Sequence, residues 1–564
     1  MKQIVRNMIW LIIICLYANT AATQVMPDKI IQESAKAIVK IRMYSKTGKI
    51  RIFTGFFIDE SGTCMTDLYN LENALWGSVI TEDGSEYEID RITAISRSYN
   101  AAKFTLKNTK GRKFPFLNMA ADPRNGYRYA TFIHSSEEKA AIYYEGIIHN
   151  RFMNRYTDHE SMHISALPRE REGWGVPLLN ARGEVIGMVS YIEDEKDFIA
   201  EYIAPPDSWE KTDRTVIAMN EDKIVPLLRI PETEPNLIYY AIELTPETTY
   251  VYAAYTHTWI YYAKQFFLWN ERDRQQFGFY IKDRNTGRMF YLKESTLGSN
   301  GKGTEVEPCM TQYFRLTFPP LPPDVQQIDL IEGSLQEWNL SQIELQANHP
   351  ITMRSVAEKE HALRYYLQKI KVGKSNYYMQ KFKQTFETYP AQQEMALNGQ
   401  AYAMLFNGES IDDVVSMLEK YTQTAKPTNL TWLNLYRLYR WQESYDKALT
   451  AINRVIELTQ GARLQEWYAE RASLYEYLND YDAAYKDWET ASKVFYVASQ
   501  YSPWMFTAYK MACAYEAGKA ALAKTQYQEL QKQLREWSEA NNNAQIGAGW
   551  QEYIDQYARK MGFK

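Results

Sequence analysis

The feature that most constrains the fold of this chain is the stretch Glu172–Met188, which reads EGWGVPLLNARGEVIGM. Glycines flank Trp174, a short apolar run follows, and Asn180–Gly187 has the composition of a hairpin. Val185–Tyr191 is then typical of a strand. The stretch therefore predicts two adjacent strands that follow a tight turn at Trp174.

The same stretch resembles the segment around the nucleophilic serine in chymotrypsin/HtrA-type serine proteases. The family pattern is Gly-Asn/Asp-Ser-Gly-Gly-Pro-Leu-Leu-Asn followed by a Gly-Glu-Val-Ile-Gly strand, and the residues after Pro177 match it almost one for one. The serine position is occupied by Trp174. Because an indole cannot attack a carbonyl, the segment that carries the resemblance also lacks the nucleophile.

The other two positions of the triad are substituted as well. Thr54–Asn70 resembles the family's histidine-bearing segment and places Tyr69 at the histidine position, while Ser96–Leu106 resembles the aspartate segment and places Asn100 at the aspartate position. No histidine occurs before His134, so a small shift of the register restores no base. The resemblance therefore implies a trypsin-like fold whose catalytic triad is lost.

The oxyanion hole is altered too, since Glu172 stands where the family has a glycine. A carboxylate there has the wrong sign to stabilise a developing negative charge. Two interpretations of Trp174 follow from its aromatic character. It either fills a disused cleft as an apolar plug or helps to grip a ligand.

A second motif, His159-Glu160-Ser-Met-His163, satisfies the His-Glu-x-x-His pattern. On a helix that spacing places two imidazoles on one face for zinc, with the glutamate as base. The residues that follow, Ile164–Pro168, have the composition of a strand, and the third histidine of the extended motif is missing. We expect two structural histidines and no metal, with a zinc protease as the alternative.

Composition narrows the class of protein. A length of 564 residues predicts two to four domains, and the net charge of −5 without a basic block argues against a nucleic-acid partner. We expect no cofactor. The chain has 44 tyrosines. They either form surfaces that contact protein, peptide or carbohydrate, or they are ordinary residues of strands and the core.

Residues 1–22 have the pattern of an export signal, with a basic start, a short apolar run and a small-residue cleavage site. We therefore expect a periplasmic or extracellular protein with no transmembrane segment after signal removal. Cys15 lacks the small residues that usually precede a lipid-modified cysteine, so an anchor there is not favoured. The three cysteines that remain are too few and dispersed for a disulfide framework.

Beyond the protease-like domain, predicted at 28–205, a Pro- and charge-rich stretch at 206–233 is typical of a linker. Residues 234–346 contain several short alternating segments separated by turn residues. This pattern predicts a β-sandwich.

Residues 353–564 are predicted to be helical, because apolar residues recur at spacings of three and four. Tyr468–Ala491 resembles a tetratricopeptide repeat, and a related unit lies 36 residues earlier. The positions at which this repeat packs one helix against the next are Ala472, Tyr475, Ala484, Trp488 and Ala491. Such repeats stack into a solenoid that binds peptide or protein, or serve as a spacer or a dimerisation element.

The sequence thus predicts a multidomain protein with a double β-barrel, a β-sandwich and a helical solenoid. The leading hypothesis is an exported, non-catalytic binding or scaffold protein that captures peptide or protein partners through the helical array. The alternative is an active hydrolase, either a divergent trypsin-like peptidase or the zinc protease of His159, Glu160 and His163. The oligomeric state is left open.

Overall fold

The computed structural model describes residues 25–563 except 110, 135–139, 155–157, 166, 168–173, 191–197, 221–222, 261–263, 267, 269–277, 300–301, 347–352, 374–375, 388–392 and 497–498. The predicted export signal and Glu172 lie outside these described residues. The chain divides into two compact units, Met1–Ile224 and Val225–Lys564.

The first unit begins with the helix α1 (Asp28–Ala35), which precedes a closed antiparallel barrel. The six barrel strands are β1 (Ile38–Ser45), β2 (Ile50–Phe57), β3 (Cys64–Asp67), β4 (Ala74–Ile80), β5 (Glu86–Ser96) and β6 (Ala101–Leu106). They pair in the order β4-β1-β2-β3-β6-β5, and β5 returns to β4, so the ring closes. Alternate residues of β1, such as Val39, Ile41 and Met43, fill the core because side chains on a strand point to opposite faces in turn.

A second closed barrel follows in the same unit. Its strands are β7 (Arg128–Ile133), β8 (Ile142–Asn154), β9 (His159–Ile164), β10 (Pro177–Leu179), β11 (Val185–Val189) and β12 (Phe198–Glu201). They pair in the order β10-β11-β12-β9-β8-β7, and β7 closes onto β10. The predicted double barrel is therefore confirmed.

The stretch 206–233, which the sequence predicts to be a linker, contains two strands. β13 (Glu210–Arg214) pairs antiparallel with β5, and β14 (Lys223–Arg229) is an outer strand of a second-unit sheet. Both are edge strands, where charged residues and Pro226 are tolerated because one side of the backbone makes no ladder hydrogen bonds. The same charge and proline made the sequence look like a linker.

Two further sheets share one hydrophobic core, as predicted for a sandwich. One has the order β14-β15-β16-β23-β20 and the other β19-β18-β24-β25, with a small third sheet β17-β22-β21 beside them. Their strands are β15 (Leu237–Leu244), β16 (Thr249–Thr256), β17 (Lys264–Phe266), β18 (Phe279–Asp283), β19 (Met289–Tyr291), β20 (Glu294–Ser295), β21 (Gly298–Ser299), β22 (Lys302–Val306), β23 (Thr311–Phe318), β24 (Gln327–Glu332) and β25 (Leu340–Glu344). Tyr239 and Phe318 of the first sheet meet Ile281 and Leu330 of the second.

Within the described residues, eleven helices complete the second unit. They are α2 (Met353–Gly373), α3 (Asn376–Glu387), α4 (Gln393–Phe406), α5 (Ile411–Thr424), α6 (Asn429–Trp441), α7 (Tyr445–Leu458), α8 (Leu464–Tyr477), α9 (Tyr481–Lys493), α10 (Pro503–Glu516), α11 (Ala520–Ala540) and α12 (Ala548–Lys560). Three-residue turns join α6 to α7, α8 to α9 and α10 to α11. The predicted helical array is therefore present.

The predicted repeat positions lie together in one cluster. Ala472, Ala484, Trp488 and Ala491 are buried there, and Tyr475 packs against them. The three alanines bring α8 and α9 close, and the indole fills the remaining space. The assignment to the tetratricopeptide class itself stays a prediction.

The sandwich and the helices were predicted as separate domains at 234–346 and 353–564, but they belong to one compact unit. Arg364 of α2 is buried, pairs with Glu360 and donates to the carbonyl of Asn236 at 3.0 Å. Arg463 before α8 lies 3.0 Å from the carboxylate of Glu337. Hydrophobic periodicity predicts helices and strands but not long-range polar contacts between them. The sequence therefore could not show that the helices and the sandwich pack as one unit.

Among the described helices, none combines the length and the apolar character that crossing a membrane requires.

Candidate functional site

The turn at Trp174 is fixed by its glycine neighbour. Gly175 has a φ of +82° and donates its N–H to the carbonyl of Val189 at 2.9 Å. A Cβ at this position would lie 2.3 Å from Thr66 Oγ1 and 2.5 Å from the carbonyl oxygen of Thr54. Both the backbone conformation and the close approach therefore require glycine.

The indole of Trp174 lies between the two barrels. It is half-buried and packs against the core clusters of both the first and the second barrel. Its ring meets that of Tyr69 edge-on, with centroids 5.5 Å apart and an interplanar angle of 85°. The carbonyl of Trp174 accepts from Asn70 Nδ2 at 3.2 Å. The residue at the serine position thus bridges the barrels at the cleft.

Tyr69 lies in a short 3₁₀ turn directly after β3. The carboxylate of Asp67 caps this turn by accepting from the Tyr69 N–H at 2.9 Å. The guanidinium of Arg51 lies 5.8 Å from the Tyr69 ring centroid and donates to the carbonyl of Glu72 at 2.6 Å. Burial lowers the pKa of Arg51. Both the backbone and the ring of Tyr69, the residue at the histidine position, are therefore in contact with charged side chains.

Asn100 reaches the same turn from the β5–β6 connection, where its φ is +46°. Its Nδ2 donates to Asp67 Oδ2 at 3.1 Å and to Ser190 Oγ at 3.0 Å, and Ser190 donates to the same Asp67 oxygen at 2.9 Å. Asp67 has no exposed surface. Its carboxylate thus accepts from the Tyr69 backbone, Asn100 and Ser190, and a buried charge needs such partners.

The three triad positions therefore converge, yet the groups that meet there are a phenol, an amide and an indole. None of them is the imidazole, the carboxylate or the serine hydroxyl of a Ser-His-Asp triad. Ser190 is the hydroxyl in this cluster, and it is buried and directed at a carboxylate. His134 is also buried, and burial lowers its pKa to about 4.

The His-Glu-x-x-His segment forms strand β9 and not a helix. His159 Nε2 lies 2.9 Å from Glu201 Oε2 and its ring stacks on Tyr99, while Glu160 pairs with Arg124 at 2.8 Å. The His163 ring packs against Phe152 with centroids 4.0 Å apart. Among the described residues no three His, Cys, Asp or Glu side chains are grouped to hold a metal. The geometry that the zinc alternative requires does not form.

Sequence reasoning missed Asp67, Asn70 and Ser190. Asp67 stands two residues before Tyr69 in the segment that carries the family resemblance, so its position could have been noticed. Asn70 and Ser190 reach the cluster through contacts with residues about 100 positions away in sequence. No local pattern reports such contacts.

Comparison with solved structures finds 333 similar chains, among them two different proteases. The first is to the HtrA-type protease AlgW with tripeptide, at 13% identity and a TM-score of 0.27, covering 31% of this chain and 58% of that one. The second is to the Rv3671c protease from M. tuberculosis in its active form, at 19% identity and a TM-score of 0.27, covering 32% of this chain and 86% of that one. The chain thus spans less than two thirds of the length of AlgW. No family model and no curated protein match the sequence.

Proposed function

We propose that this chain is an exported, non-catalytic binding or scaffold protein that uses a degenerate protease-like double barrel and captures peptide or protein partners through its helical array. The observation that carries the proposal is the convergence of Tyr69, Asn100 and Trp174 at the cleft between the barrels. These positions are far apart in sequence, and the family resemblance assigns them to the triad. They lie close together, and their side chains are a phenol, an amide and an indole.

The chemistry of the cluster supports this reading. A serine hydrolase needs a hydroxyl that is activated by an imidazole, which in turn is oriented by a carboxylate. The carboxylate of Asp67 is present, but it accepts hydrogen bonds from the Tyr69 backbone, Asn100 and Ser190 and not from an imidazole. The side chain at the histidine position is the phenol of Tyr69 and not an imidazole.

The packing of Trp174 favours the plug over the ligand grip. Its indole packs against both barrel cores, which supports a role in filling space between the barrels. We therefore assign partner binding to the helical array and not to the region around Trp174.

Export rests on the predicted signal at residues 1–22. Sequencing the N-terminus of the protein recovered from the producing cell's envelope or medium tests it. A mature chain that begins near Thr23 is expected, whereas a chain that keeps Met1 in the cytoplasm would contradict export.

Loss of catalysis is tested on the purified full chain with a fluorophosphonate probe and a quenched casein substrate. We expect no covalent adduct and no hydrolysis, with trypsin as the positive control. Trp174→Ala serves as the opened-cleft variant and Ser190→Ala as the variant that lacks the cluster's hydroxyl.

A fluorophosphonate adduct mapped by mass spectrometry within residues 25–224 would overturn the proposal, above all if it persists in Trp174→Ala. Zinc bound in stoichiometric amount and lost on His163→Ala would overturn it in favour of the metalloprotease.

A further inference from the structure

Three helices of the array end in an exposed aromatic side chain. Phe406 ends α4, Trp441 ends α6 and Tyr477 ends α8, with exposed fractions of 44%, 55% and 62%. They lie 35 and 36 residues apart, which matches the repeat period of the array. Each one therefore occupies the same place in successive helical hairpins, directly before the turn.

These rings contribute little to the interior. None of the three belongs to a hydrophobic core cluster formed by the described residues. Tyr477 makes a ring contact with Tyr445 at the start of α7, with centroids 4.6 Å apart. Contact between neighbouring hairpins thus supports the Tyr477 ring, and the Phe406 ring stacks on Tyr402 of its own helix with centroids 6.4 Å apart. Much of the surface of all three rings stays exposed.

The turns that carry the rings are strongly acidic. The segments 406–413, 441–447 and 477–483 contain one basic residue, Lys447, and seven exposed carboxylates: Glu409, Asp412, Asp413, Glu443, Asp446, Asp480 and Asp482. Lys447 pairs with Glu419 at 3.0 Å. The excess of negative charge in these short segments equals six, against five for the whole chain.

Helix formation explains only part of this pattern. Asp412, Asp413, Asp446 and Asp482 lie in first turns of helices, where the macrodipole favours acids. That effect does not call for an exposed aromatic. The next hairpin, α10–α11, has Glu516 at the end of its first helix and the turn Ala-Gly-Lys, and Lys519 of that turn pairs with Asp482 at 2.8 Å. The fold of a hairpin therefore does not need an exposed aromatic before its turn.

We propose that Phe406, Trp441 and Tyr477, together with these seven carboxylates, form a docking surface for a cationic, partly apolar segment of a protein partner. We call this surface the turn row. Aromatic faces attract ammonium and guanidinium groups, and carboxylates form ion pairs with the same groups. Lys and Arg side chains of a partner can therefore interact with both kinds of residue in the turn row. The proposal rests on the proposed function and names the chemical class of its partner.

The test measures fluorescence anisotropy of a labelled peptide of alternating Arg and Leu during titration with the full chain. A peptide of alternating Glu and Leu is the charge control. We expect the Arg peptide to bind, with weaker binding at higher salt, and the Glu peptide to bind at least about tenfold more weakly. The double variant Trp441→Ala/Tyr477→Ala should weaken binding about tenfold.

Tyr127→Ala is the matched control, because Tyr127 is 67% exposed but lies in the first unit, and it should bind like the parent chain. Circular dichroism establishes that the variants keep their helices. The proposal is overturned if the Arg peptide does not bind, if both peptides bind equally, or if the double variant binds unchanged. A fluorophosphonate adduct would instead overturn the proposed function, so the two failures are distinguishable.

Discussion

The cleft between the barrels and the turns of the helical array both present aromatic side chains, but in opposite ways. At the cleft, Trp174 packs into the cores of two barrels and meets Tyr69 edge-on. In the array, Trp441 and Tyr477 end their helices with more than half of their surface exposed.

The difference separates two uses of the same residue type. An aromatic ring that contacts two cores removes a cavity and stabilises the fold. A ring that stays exposed beside carboxylates stabilises little and remains available to a partner. The region that carries the family resemblance is thus the one whose aromatic ring packs against core residues.

Among the substitutions near Trp174, we expect the one at Gly175 to reduce the stability of the first unit most. We expect Gly175→Ala to destabilise the first unit by about 4 kcal/mol, because it combines a positive φ with a Cβ that overlaps Thr54 and Thr66. Gly84 is the matched control, since its φ is +81° but nothing lies within 4 Å of the added Cβ. Its substitution should cost about 1 kcal/mol.

Urea unfolding with hydrogen exchange read over residues 38–224 measures both variants. Equal costs at the two glycines would show that the turn at Trp174 is not tightly enclosed.

Acid should weaken the first unit through His134. Burial lowers the pKa of His134 to about 4, below its usual value near 6.5. As pH falls from about 6.5 to 4, the unfolded chain takes up a proton that the folded chain does not, so about 3 kcal/mol of stability is lost. A His134→Gln variant should lose this part of the pH dependence. An unchanged slope in that variant would contradict the assignment.

The second unit should respond in the opposite direction through Glu332. Burial and the neighbouring Glu337 raise the pKa of Glu332 to about 8, so folding favours its protonated form. Its contribution is present at low pH and is lost as pH rises from about 4.5 to 8. Hydrogen exchange of β24 peptides in the parent chain and in Glu332→Gln measures it. Protection that rises with pH in the parent alone would refute it.

The same contrast shows what could be predicted from sequence. The double barrel followed from a local motif, since the residues from Pro177 to Gly187 form a hairpin whose pattern is contiguous. The convergence of Tyr69, Asn100 and Trp174 was also within reach, because each lies in its own recognisable segment. The polar cluster around Asp67 was not, since Ser190 and Asn70 enter it through long-range contacts that no periodicity reports.

The array shows the complementary limit. Its helices and the packing positions around Trp488 followed from spacing, because a period of about 36 residues repeats the same contacts. The edge strands β13 and β14 were missed because their charges and Pro226 resemble a linker. The turn row was also missed, since exposure of Trp441 and Tyr477 depends on which neighbours cover them, and that is a property of the packed structure.

Truncation of the two tryptophans compares the closed and the exposed site directly. We expect Trp174→Ala to cost the first unit about 2–3 kcal/mol, because the indole leaves a gap between two cores. Trp441→Ala should cost the second unit about 0.5 kcal/mol or less, since the ring is largely exposed. Urea midpoints of the full chain, assigned to each unit by hydrogen exchange, test this. If the two variants lose similar amounts of stability, Trp174 and Trp441 do not differ in the way proposed, as a packing residue and a docking residue.

A further moderate effect concerns Asn100, at the position where the resembled family has an aspartate. Asn100→Asp would place a second carboxylate about 3 Å from Asp67 and replace a donor with an acceptor, so we expect a cost of about 1–2 kcal/mol at pH 7. The cost should shrink as pH falls, because a proton shared by the two carboxyls relieves their repulsion. Asn108→Asp is the control, because Asn108 also has a positive φ but is exposed. If both substitutions cost the same, Asn100 is needed only for its backbone conformation. If only the substitution at Asn100 is costly, the side-chain amide is needed beside Asp67. Asp67 is then the carboxylate of this cluster, and an aspartate at position 100 destabilises the fold.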